Sequence, residues 1–260
     1  MAAGPVKRLI YAPFTGMVMR GNLYRIRDRR FLLPFISGPL REAAGYWPAA
    51  LGKFKPKKVF DIGAFNGDVS AGISELYRPE FMALVEPKPE MANILRTKVF
   101  APRQMVFECA LGKKAGSADF NVLDFPAASS LLEISPGMGE LFHQPMGIEK
   151  RITVGMRTLD DIFIESGVDL IDLMKIDVQG YELEVFKGGK AALEHTKMIV
   201  SEVMFFEHYM GQPLFEDIYQ YLKAAGFRIR TTAGWVYDRK GLALFADAVF
   251  MNERFFHSHA

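Results

Sequence analysis

From residue 58 onward, the chain alternates short β-rich runs with segments that have helical periodicity. Parallel strands must be joined by crossover connections, which are usually helices, so this alternation is typical of an α/β fold with a mostly parallel sheet covered by helices on both faces. The predicted strands are 57–63, 81–87, 105–111, 172–178, 198–204, 227–232 and 244–252. The predicted helices are 68–77, 88–98, 180–194 and 214–225. Residues 112–160 are the least regular part, and long excursions of this kind usually cover the ligand site.

Length and cysteine content set the broad class of protein. A chain of 260 residues that is 50% apolar can bury one sizeable core, so one main domain is expected. Cys109 is the single cysteine, which excludes a disulfide within the chain and a cysteine-clustered zinc site. A reducing compartment, and therefore a cytoplasmic location, is expected. No apolar run approaches the roughly 18 residues that a membrane-spanning helix needs.

Charge is unevenly distributed along the chain. Residues 1–58 hold twelve lysines and arginines against two acidic residues, whereas the remainder has more acidic than basic side chains. We therefore predict a basic N-terminal extension over residues 1–56 and one domain over residues 57–260. Three roles for the basic arm stay open: packing on its own domain, contact with an anionic acceptor, and peripheral contact with a membrane surface. We expect no nucleic-acid partner, and the sequence does not indicate an oligomeric state.

The stretch VFDIGAFNGDVS, residues 59–70, predicts a ligand-binding turn after the first strand. In a doubly wound sheet the ligand lies beyond the carboxyl ends of the strands. The turn lacks the third glycine of a dinucleotide-binding loop, and no G-K-[ST] follows as in a phosphate loop. It offers instead a carboxylate, Asp61, beside the bare backbone of Gly63 and Gly67. A carboxylate at this place repels phosphates and suits an ammonium group.

Glu86 closes the second predicted strand, 23 residues after Gly63. An acidic side chain at this point of an α/β fold can accept hydrogen bonds from ribose hydroxyls. A ligand with a ribose, an ammonium group and no phosphate is S-adenosylmethionine. The alternative is that Asp61 only caps a turn and that Glu86 is an ordinary surface carboxylate.

A set of motifs along the chain from residue 57 onward resembles the FkbM family of S-adenosylmethionine-dependent methyltransferases. The motifs are VFDIGAFNGD, VEPKPE, ECALGKKAG, TLDD, LMKIDVQGYELEVFKGG (residues 173–189), IVSEVMF and ADAVFMNE. The resemblance covers roughly residues 57–252 and leaves out the basic arm. It implies the seven-stranded Rossmann-like methyltransferase sheet, in which the last strand inserts antiparallel beside the sixth. Many members carry glutamate where this chain has Gln179, so no charged role is expected for that residue.

The resemblance also implies a set of cofactor-binding residues. The residues expected at the methionine end of S-adenosylmethionine are Asp61, Gly63, Asn66 and Gly67. Glu86 is expected to hold the ribose, while Cys109 and Ala110 flank the adenine. Asp177 is expected near the sulfonium and the incoming acceptor. Cys109 is equally well explained as an inert buried thiol.

The implied reaction is methyl transfer to a hydroxyl of a glycan, a sugar-containing intermediate or a secondary metabolite. An alcohol loses its proton reluctantly, so a general base is useful, and the candidates are Asp177, Glu202 and His208. Each has a structural alternative, such as holding the ammonium group or orienting a loop. No metal is predicted, because the histidines lack partners at ligand spacing.

A different function class stays open. The chain could be a non-catalytic binding module that keeps the methyltransferase fold and attaches to a membrane surface or an anionic polymer through its basic arm. A module freed from cofactor binding does not need Asp61, Glu86 and Asp177, so their presence favours the enzyme.

Overall fold

The computed structural model describes residues 50–136, 138–141, 146–238 and 240–256. Most of the basic arm, and with it the predicted contacts of that arm, lies outside the described residues. The described start of the chain packs on the domain, since Leu51 is buried in the core and the Ala50 carbonyl accepts a hydrogen bond from Arg230 Nε at 3.0 Å. The boundary between residues 56 and 57 stays a prediction.

The described residues form ten strands, seven α-helices and one short 3-10 turn. The strands are β1 (Lys58–Ile62), β2 (Phe81–Val85), β3 (Arg103–Phe107), β4 (Ala110–Leu111), β5 (Gly116–Leu123), β6 (Ile148–Arg157), β7 (Ile171–Ile176), β8 (Thr196–Met204), β9 (Phe227–Tyr237) and β10 (Ala243–Asn252). The helices are α1 (Asp68–Tyr77), α2 (Pro89–Thr97), α3 (Met138–Leu141), α4 (Leu159–Ser166), α5 (Glu182–Lys187), α6 (Lys190–Glu194) and α7 (Phe215–Ala224), and the 3-10 turn is Pro126–Ala128. No helix in the described ranges has both the length and the apolar character needed to cross a bilayer.

Seven strands form one large sheet in the order β3-β2-β1-β7-β8-β10-β9. Neighbours from β3 to β8 are parallel, and β10 inserts antiparallel between β8 and β9. The predicted fold class is therefore confirmed. Side chains alternate along each strand, so β1 directs Phe60 and Ile62 to the core under α4 to α7 and Val59 to the core under α1 and α2.

The centre of the large sheet positions the site. The chain leaves β1 for β2 on one side, whereas β7 lies on the other side of β1. The register places Ile62 beside both Val85 and Ile176, so the carboxyl ends of these three strands meet at one edge. Connections diverge there and leave a crevice, which is where ligands bind in open α/β sheets.

Residues 112–160 are more regular than their sequence suggests. Strands β4, β5 and β6 form a separate three-stranded sheet in the order β4-β6-β5. The predicted strand 105–111 is split, because β3 ends at Phe107 and β4 pairs with β6 in the small sheet. The pattern was hard to detect because β4 has two residues and most of β6 is exposed or half-buried. Ala110, Leu111 and Phe120 of the small sheet line the same cavity as residues at the carboxyl ends of β1, β2 and β7, which agrees with the predicted covering role.

We predict that Gly63→Ala strongly destabilises the fold. Gly63 has φ +76°, and a Cβ atom added there would lie 1.9 Å from the Asp177 carbonyl oxygen. Both the backbone strain and the clash oppose the substitution, so the free energy of unfolding should fall by about 2–4 kcal/mol. Urea unfolding measures the change. Gly155→Ala in β6 is the control, since a Cβ there meets nothing within 4 Å, and equal losses in the two variants would contradict the close approach.

Candidate active site

A cavity lies at the carboxyl ends of β1, β2 and β7. It contains about 860 Å³ of space between atoms, part of which is open to solvent. The large sheet and its loops supply one wall, and the small sheet with the 3-10 turn supplies the other. The lining residues from the large sheet and its loops include Gly63, Phe65, Asn66, Asp68, Glu86, Lys88, Cys109, Lys175, Asp177 and Gln179, and Ala110 of β4 lines the cavity from the small sheet. Those from the covering segment include Phe120, Pro126, Ser129 and Leu131.

The turn after β1 is held by main-chain hydrogen bonds that tie it to β2. The backbone N–H groups of Gly63 and Ala64 both donate to the Val85 carbonyl at 3.0 Å. Asn66 accepts a hydrogen bond from the Asp68 N–H at 3.1 Å, at the first residue of α1. The turn therefore has a fixed shape, and it presents backbone atoms to the cavity.

Glu86 lies directly after β2 and is almost fully buried. Its Oε2 atom accepts from the Phe65 N–H at 2.9 Å and its Oε1 atom accepts from the Lys88 N–H at 3.0 Å. Burial raises the pKa of Glu86, while Lys88 and the two backbone donors oppose the rise. Each carboxylate oxygen can accept a second hydrogen bond. Glu86 can therefore take two hydroxyl donors from a ligand in the cavity.

Lys88 is a buried cation beside Glu86. Its Nζ atom donates to the Pro126 carbonyl at 2.6 Å and lies 4.4 Å from the centre of the Phe65 ring. Burial lowers the pKa of Lys88, and the nearby carboxylate of Glu86 opposes this. The side chain joins the end of β2 to the 3-10 turn of the covering segment. Lys88 was not among the predicted site residues, although VEPK places it two positions after Glu86.

A second buried lysine, Lys175, lies between the ends of β1 and β7. Its Nζ atom donates to the Gly63 carbonyl at 2.9 Å and lies 3.4 Å from Asp61 Oδ1 and 3.7 Å from Asp177 Oδ2. Burial by itself lowers the pKa of Lys175, but the carboxylates of Asp61 and Asp177 outweigh it, and the pKa is raised above its ordinary value. Lys175 therefore stays charged.

Asp61 and Asp177 occupy different places around Lys175. Asp61 is fully buried, accepts a hydrogen bond from Ser70 Oγ of α1, and does not line the cavity. Asp177 lines the cavity, and its side chain is 15% exposed. Of the two carboxylates, Asp177 is the one that a ligand can contact directly.

Gln179 and Tyr209 extend the polar contacts around Asp177. Gln179 Nε2 lies 2.5 Å from Asp177 Oδ1 and 3.2 Å from Glu202 Oε2. The Tyr209 hydroxyl lies 2.8 Å from Gln179 Oε1 and 2.8 Å from the Ala128 carbonyl oxygen, so its one proton is shared between two acceptors. Tyr209 is 30 residues from Gln179 in the chain, and nothing in the local sequence indicates this contact.

The other two candidate bases, Glu202 and His208, are buried and do not line the cavity. Burial raises the pKa of Glu202 well above its ordinary value, and the charges of Asp177 and Glu182 raise it further. Burial lowers the pKa of His208 to about 4. His208 is therefore mainly neutral near pH 7. The raised pKa of Glu202 favours its protonated form, and its carboxyl group contacts Gln179, which lines the cavity.

The remaining predicted residues divide into two groups. Cys109, between β3 and β4, and Ala110, the first residue of β4, both line the cavity. Burial raises the pKa of the Cys109 thiol to about 11, which agrees with an inert thiol. Gly67 does not line the cavity. A Cβ atom added to Gly67 would lie 2.5 Å from the Phe100 ring and 2.8 Å from the Leu95 side chain, so its glycine is needed for packing against α2.

The net charge of the cavity follows from these positions. Among the described lining residues, the acidic ones are Asp68, Glu86 and Asp177, and the lysines are Lys88 and Lys175. Lys88 is matched by Glu86, and Lys175 is shared between Asp177 and buried Asp61. With these carboxylates ionised, the wall near Asp177 is negative, which suits a cationic ligand. In the described part of the chain, no group of three or more His, Cys, Asp or Glu residues could hold a metal ion.

Comparisons with known proteins show what the sequence and the fold are similar to. The profile of the family described as "Methyltransferase FkbM domain" matches residues 61–229. The chain is 30% identical over 162 residues to "2-O-methyltransferase NoeI" of Sinorhizobium fredii, a match that covers 59% of this chain and 66% of that relative, just under two thirds. The fold is similar to the crystal structure of methyltransferase FkbM from Methylobacillus flagellatus, with a TM-score of 0.51 and 18% identity. That alignment covers 79% of this chain and 46% of the other.

Glu182 supports the turn that carries Asp177 and Gln179. Its Oε1 atom accepts from the Val178 N–H at 3.0 Å and from the Gly180 N–H at 3.3 Å. Burial raises the pKa of Glu182 to about 7, against the opposing effect of the backbone donors, and the charge of Asp177 adds to the rise. Because the folded state binds this proton more tightly than the unfolded state, ionising Glu182 lowers stability as the pH rises from its ordinary pKa through about 7.

We predict that Glu182→Gln removes this pH dependence. Glutamine keeps the Oε1 acceptor and lacks the charge. The free energy of unfolding of the variant, relative to the parent, should therefore increase by about 1–3 kcal/mol between about pH 5 and about pH 8. Urea unfolding at several pH values measures the difference. The same substitution at exposed Glu216 controls for pH effects elsewhere, and a difference that stays constant with pH would contradict the burial effect.

Proposed function

The chain belongs to the FkbM methyltransferase family, and from this we propose that it is an S-adenosylmethionine-dependent O-methyltransferase. We propose as the acceptor a hydroxyl of a glycan, a sugar-containing intermediate or a secondary metabolite. The curated relative named as a 2-O-methyltransferase supports transfer to oxygen. A cytoplasmic location and contact of the basic arm with an anionic acceptor or membrane surface belong to the same proposal.

The observation that carries the proposal is the pairing of Glu86 with a negative wall in one cavity. Glu86 offers two acceptors for a ribose at the end of β2. Asp177 offers a carboxylate at the end of β7, where among the described residues Lys175, itself shared with Asp61, partly balances its charge. Apolar side chains of Val85, Leu111 and Phe120 line the same cavity and suit a flat base. S-adenosylmethionine has a ribose, an adenine and a cationic methionine end, so these residues fit it.

The cofactor supplies an activated methyl group on its sulfonium. The protein must therefore place a hydroxyl in line with that methyl group and exclude water, and positioning of this kind accounts for much of the rate. Asp177 is the candidate base that lines the cavity, so it can accept the hydroxyl proton or orient the hydroxyl. Glu202 lies behind Gln179 and can act only through it. The covering segment, with Ser129 and Leu131, closes the other side of the cavity.

The binding-module alternative is less well supported. Burying charged groups is costly unless each group is paired. A module that does not bind the cofactor has no need of such a cluster at the strand ends. This chain keeps Asp61, Lys175 and Asp177 together, with Glu86 directed into the same cavity. Retaining this arrangement is easier to explain for an enzyme.

Methyl transfer from labelled cofactor tests the proposal. The full chain is incubated with methyl-labelled S-adenosylmethionine and, separately, with oligosaccharide, small-molecule metabolite, protein and nucleic-acid acceptors. We expect label in a carbohydrate or metabolite fraction, in a product stable to mild alkali, since methyl ethers resist alkali and methyl esters release methanol. Label in protein or nucleic acid, or label released by alkali, would contradict transfer to such a hydroxyl.

We predict that Glu86→Ala weakens cofactor binding by about 1–3 kcal/mol, the scale of lost charge-assisted hydrogen bonds. Calorimetry with S-adenosylmethionine measures the change, and circular dichroism checks that the variant is folded. Glu108→Ala is the matched control, because Glu108 follows the neighbouring strand β3, pairs with Arg96 at 2.8 Å and does not line the cavity. Unchanged affinity in a folded Glu86→Ala protein would falsify the ribose assignment.

A further inference from the structure

Gln179 has an unusual backbone conformation for its residue type. Its φ angle is +55°, in the left-handed region, which residues other than glycine, asparagine and aspartate adopt uncommonly. Strained backbone of this kind persists where surrounding contacts enforce it, and it occurs often at functional sites. Gln179 is 3% exposed and lines the cavity next to Asp177. The strain therefore occurs at a residue of the candidate site.

The contacts of Gln179 explain how the strained conformation is held. Its carbonyl oxygen accepts a hydrogen bond from Ser130 Oγ at 2.6 Å, which joins it to the covering segment. Its side-chain Nε2 faces the carboxyl groups of Asp177 and Glu202, and its Oε1 faces the Tyr209 hydroxyl. An amide supplies two N–H donors on one side and an acceptor on the other, so this orientation satisfies both sides. Reversing the amide would place its oxygen against the two carboxyl groups.

The charges around Gln179 show what the amide does. Lys175 stays charged and lies between Asp61 and Asp177. Burial raises the pKa of Glu202 well above its ordinary value, which favours the protonated form of its carboxyl group. Gln179 therefore places a neutral donor between an accessible carboxylate and a buried carboxyl group. Its N–H group fixes Asp177 Oδ1 and leaves the rest of the carboxylate directed to the cavity.

We propose that Gln179 is a positioning residue that holds the Asp177 carboxylate in place against the cationic centre of the cofactor. The inference rests on the proposed function, since it assumes that S-adenosylmethionine occupies the cavity.

The proposed role predicts a difference in affinity between the cofactor and its demethylated product, because the two differ in charge. S-adenosylmethionine carries a positive sulfonium, whereas the demethylated product S-adenosylhomocysteine has a neutral thioether in its place. A fixed carboxylate favours the charged ligand relative to the neutral one, so Gln179 helps the site to release product.

The ratio of two dissociation constants tests this without an acceptor. The affinities of the full chain for S-adenosylmethionine and S-adenosylhomocysteine are measured by calorimetry at neutral pH and constant salt. In Gln179→Met, which keeps side-chain length and removes both hydrogen-bonding groups, we expect the S-adenosylmethionine constant divided by the S-adenosylhomocysteine constant to rise about fivefold or more. If Gln179 had a purely structural role, the substitution would weaken the binding of both ligands by the same factor and leave the ratio of dissociation constants unchanged.

Gln104→Met is the matched control. Gln104 also uses both ends of its amide, accepting from the Phe100 N–H at 2.8 Å and donating to the Lys98 carbonyl at 2.7 Å, but it lies in β3 outside the cavity lining. We expect the ratio in this variant to match that of the parent protein. The control separates loss of a buried amide from loss of this particular contact.

A double-mutant cycle shows whether Gln179 acts through Asp177. Asp177→Asn alone should raise the ratio at least as much as Gln179→Met, and the double variant should show no further rise, since residues that act as a unit are not additive. Independent, additive changes would overturn the positioning role, as would an unchanged ratio in Gln179→Met. If neither ligand binds the parent protein, the proposed function fails instead, so the two failures are distinguishable.

Discussion

The buried ammonium group of Lys175 is the interaction on which the site depends. It joins the backbone of Gly63 after β1 to the carboxylates of Asp61 in β1 and Asp177 after β7. A buried charge is costly by several kcal/mol unless it is paired, and removing one partner leaves the others uncompensated. The three groups therefore hold the ends of the two central strands in a fixed relation. The close contact of Gly63 with the Asp177 carbonyl follows from that relation and requires glycine.

Polar residues around the Lys175 cluster orient the two carboxylates that line the cavity. Glu182 holds the backbone of the turn after β7, and Gln179 holds the side chain of Asp177. On the other side of the cavity, the backbone of the first turn holds Glu86, and Lys88 ties β2 to the covering segment. The cavity thus has one carboxylate at each end, and each is oriented by hydrogen bonds before any ligand arrives. Preorganised groups of this kind lose little entropy on binding.

The sequence predicted the large sheet well, because buried parallel strands are continuous apolar runs separated by helical segments. It did not predict the small sheet. Strand β6 (Ile148–Arg157) has charged residues at three consecutive positions and no clear alternation, and β4 is too short to detect. The pairing of these strands depends on contacts between distant residues, which a local pattern does not contain.

The site was predictable only in part, for a similar reason. Strand ends supplied Glu86 and Asp177, which both line the cavity. The position of Asp61 near a strand end did not reveal that Ser70 and Lys175 cover its carboxylate. That contact depends on the face of β1 from which the side chain projects, which is the face under α1. Lys175 could have been predicted as a site residue, because the alternation of side chains along a strand places it on the same face as Asp177. The left-handed backbone of Gln179 and its contact with Tyr209 could not have been predicted in this way.

The central claim is that one cavity holds a ribose at Glu86 and a cationic centre at Asp177. A crystal structure of the full chain with S-adenosylmethionine bound tests it most directly. The account predicts both ribose hydroxyls within hydrogen-bonding distance of the Glu86 carboxylate and the sulfonium on the Asp177 side of the cavity, with Lys175 unmoved. A cofactor bound outside this cavity, or in it with the ribose away from Glu86, would contradict the account.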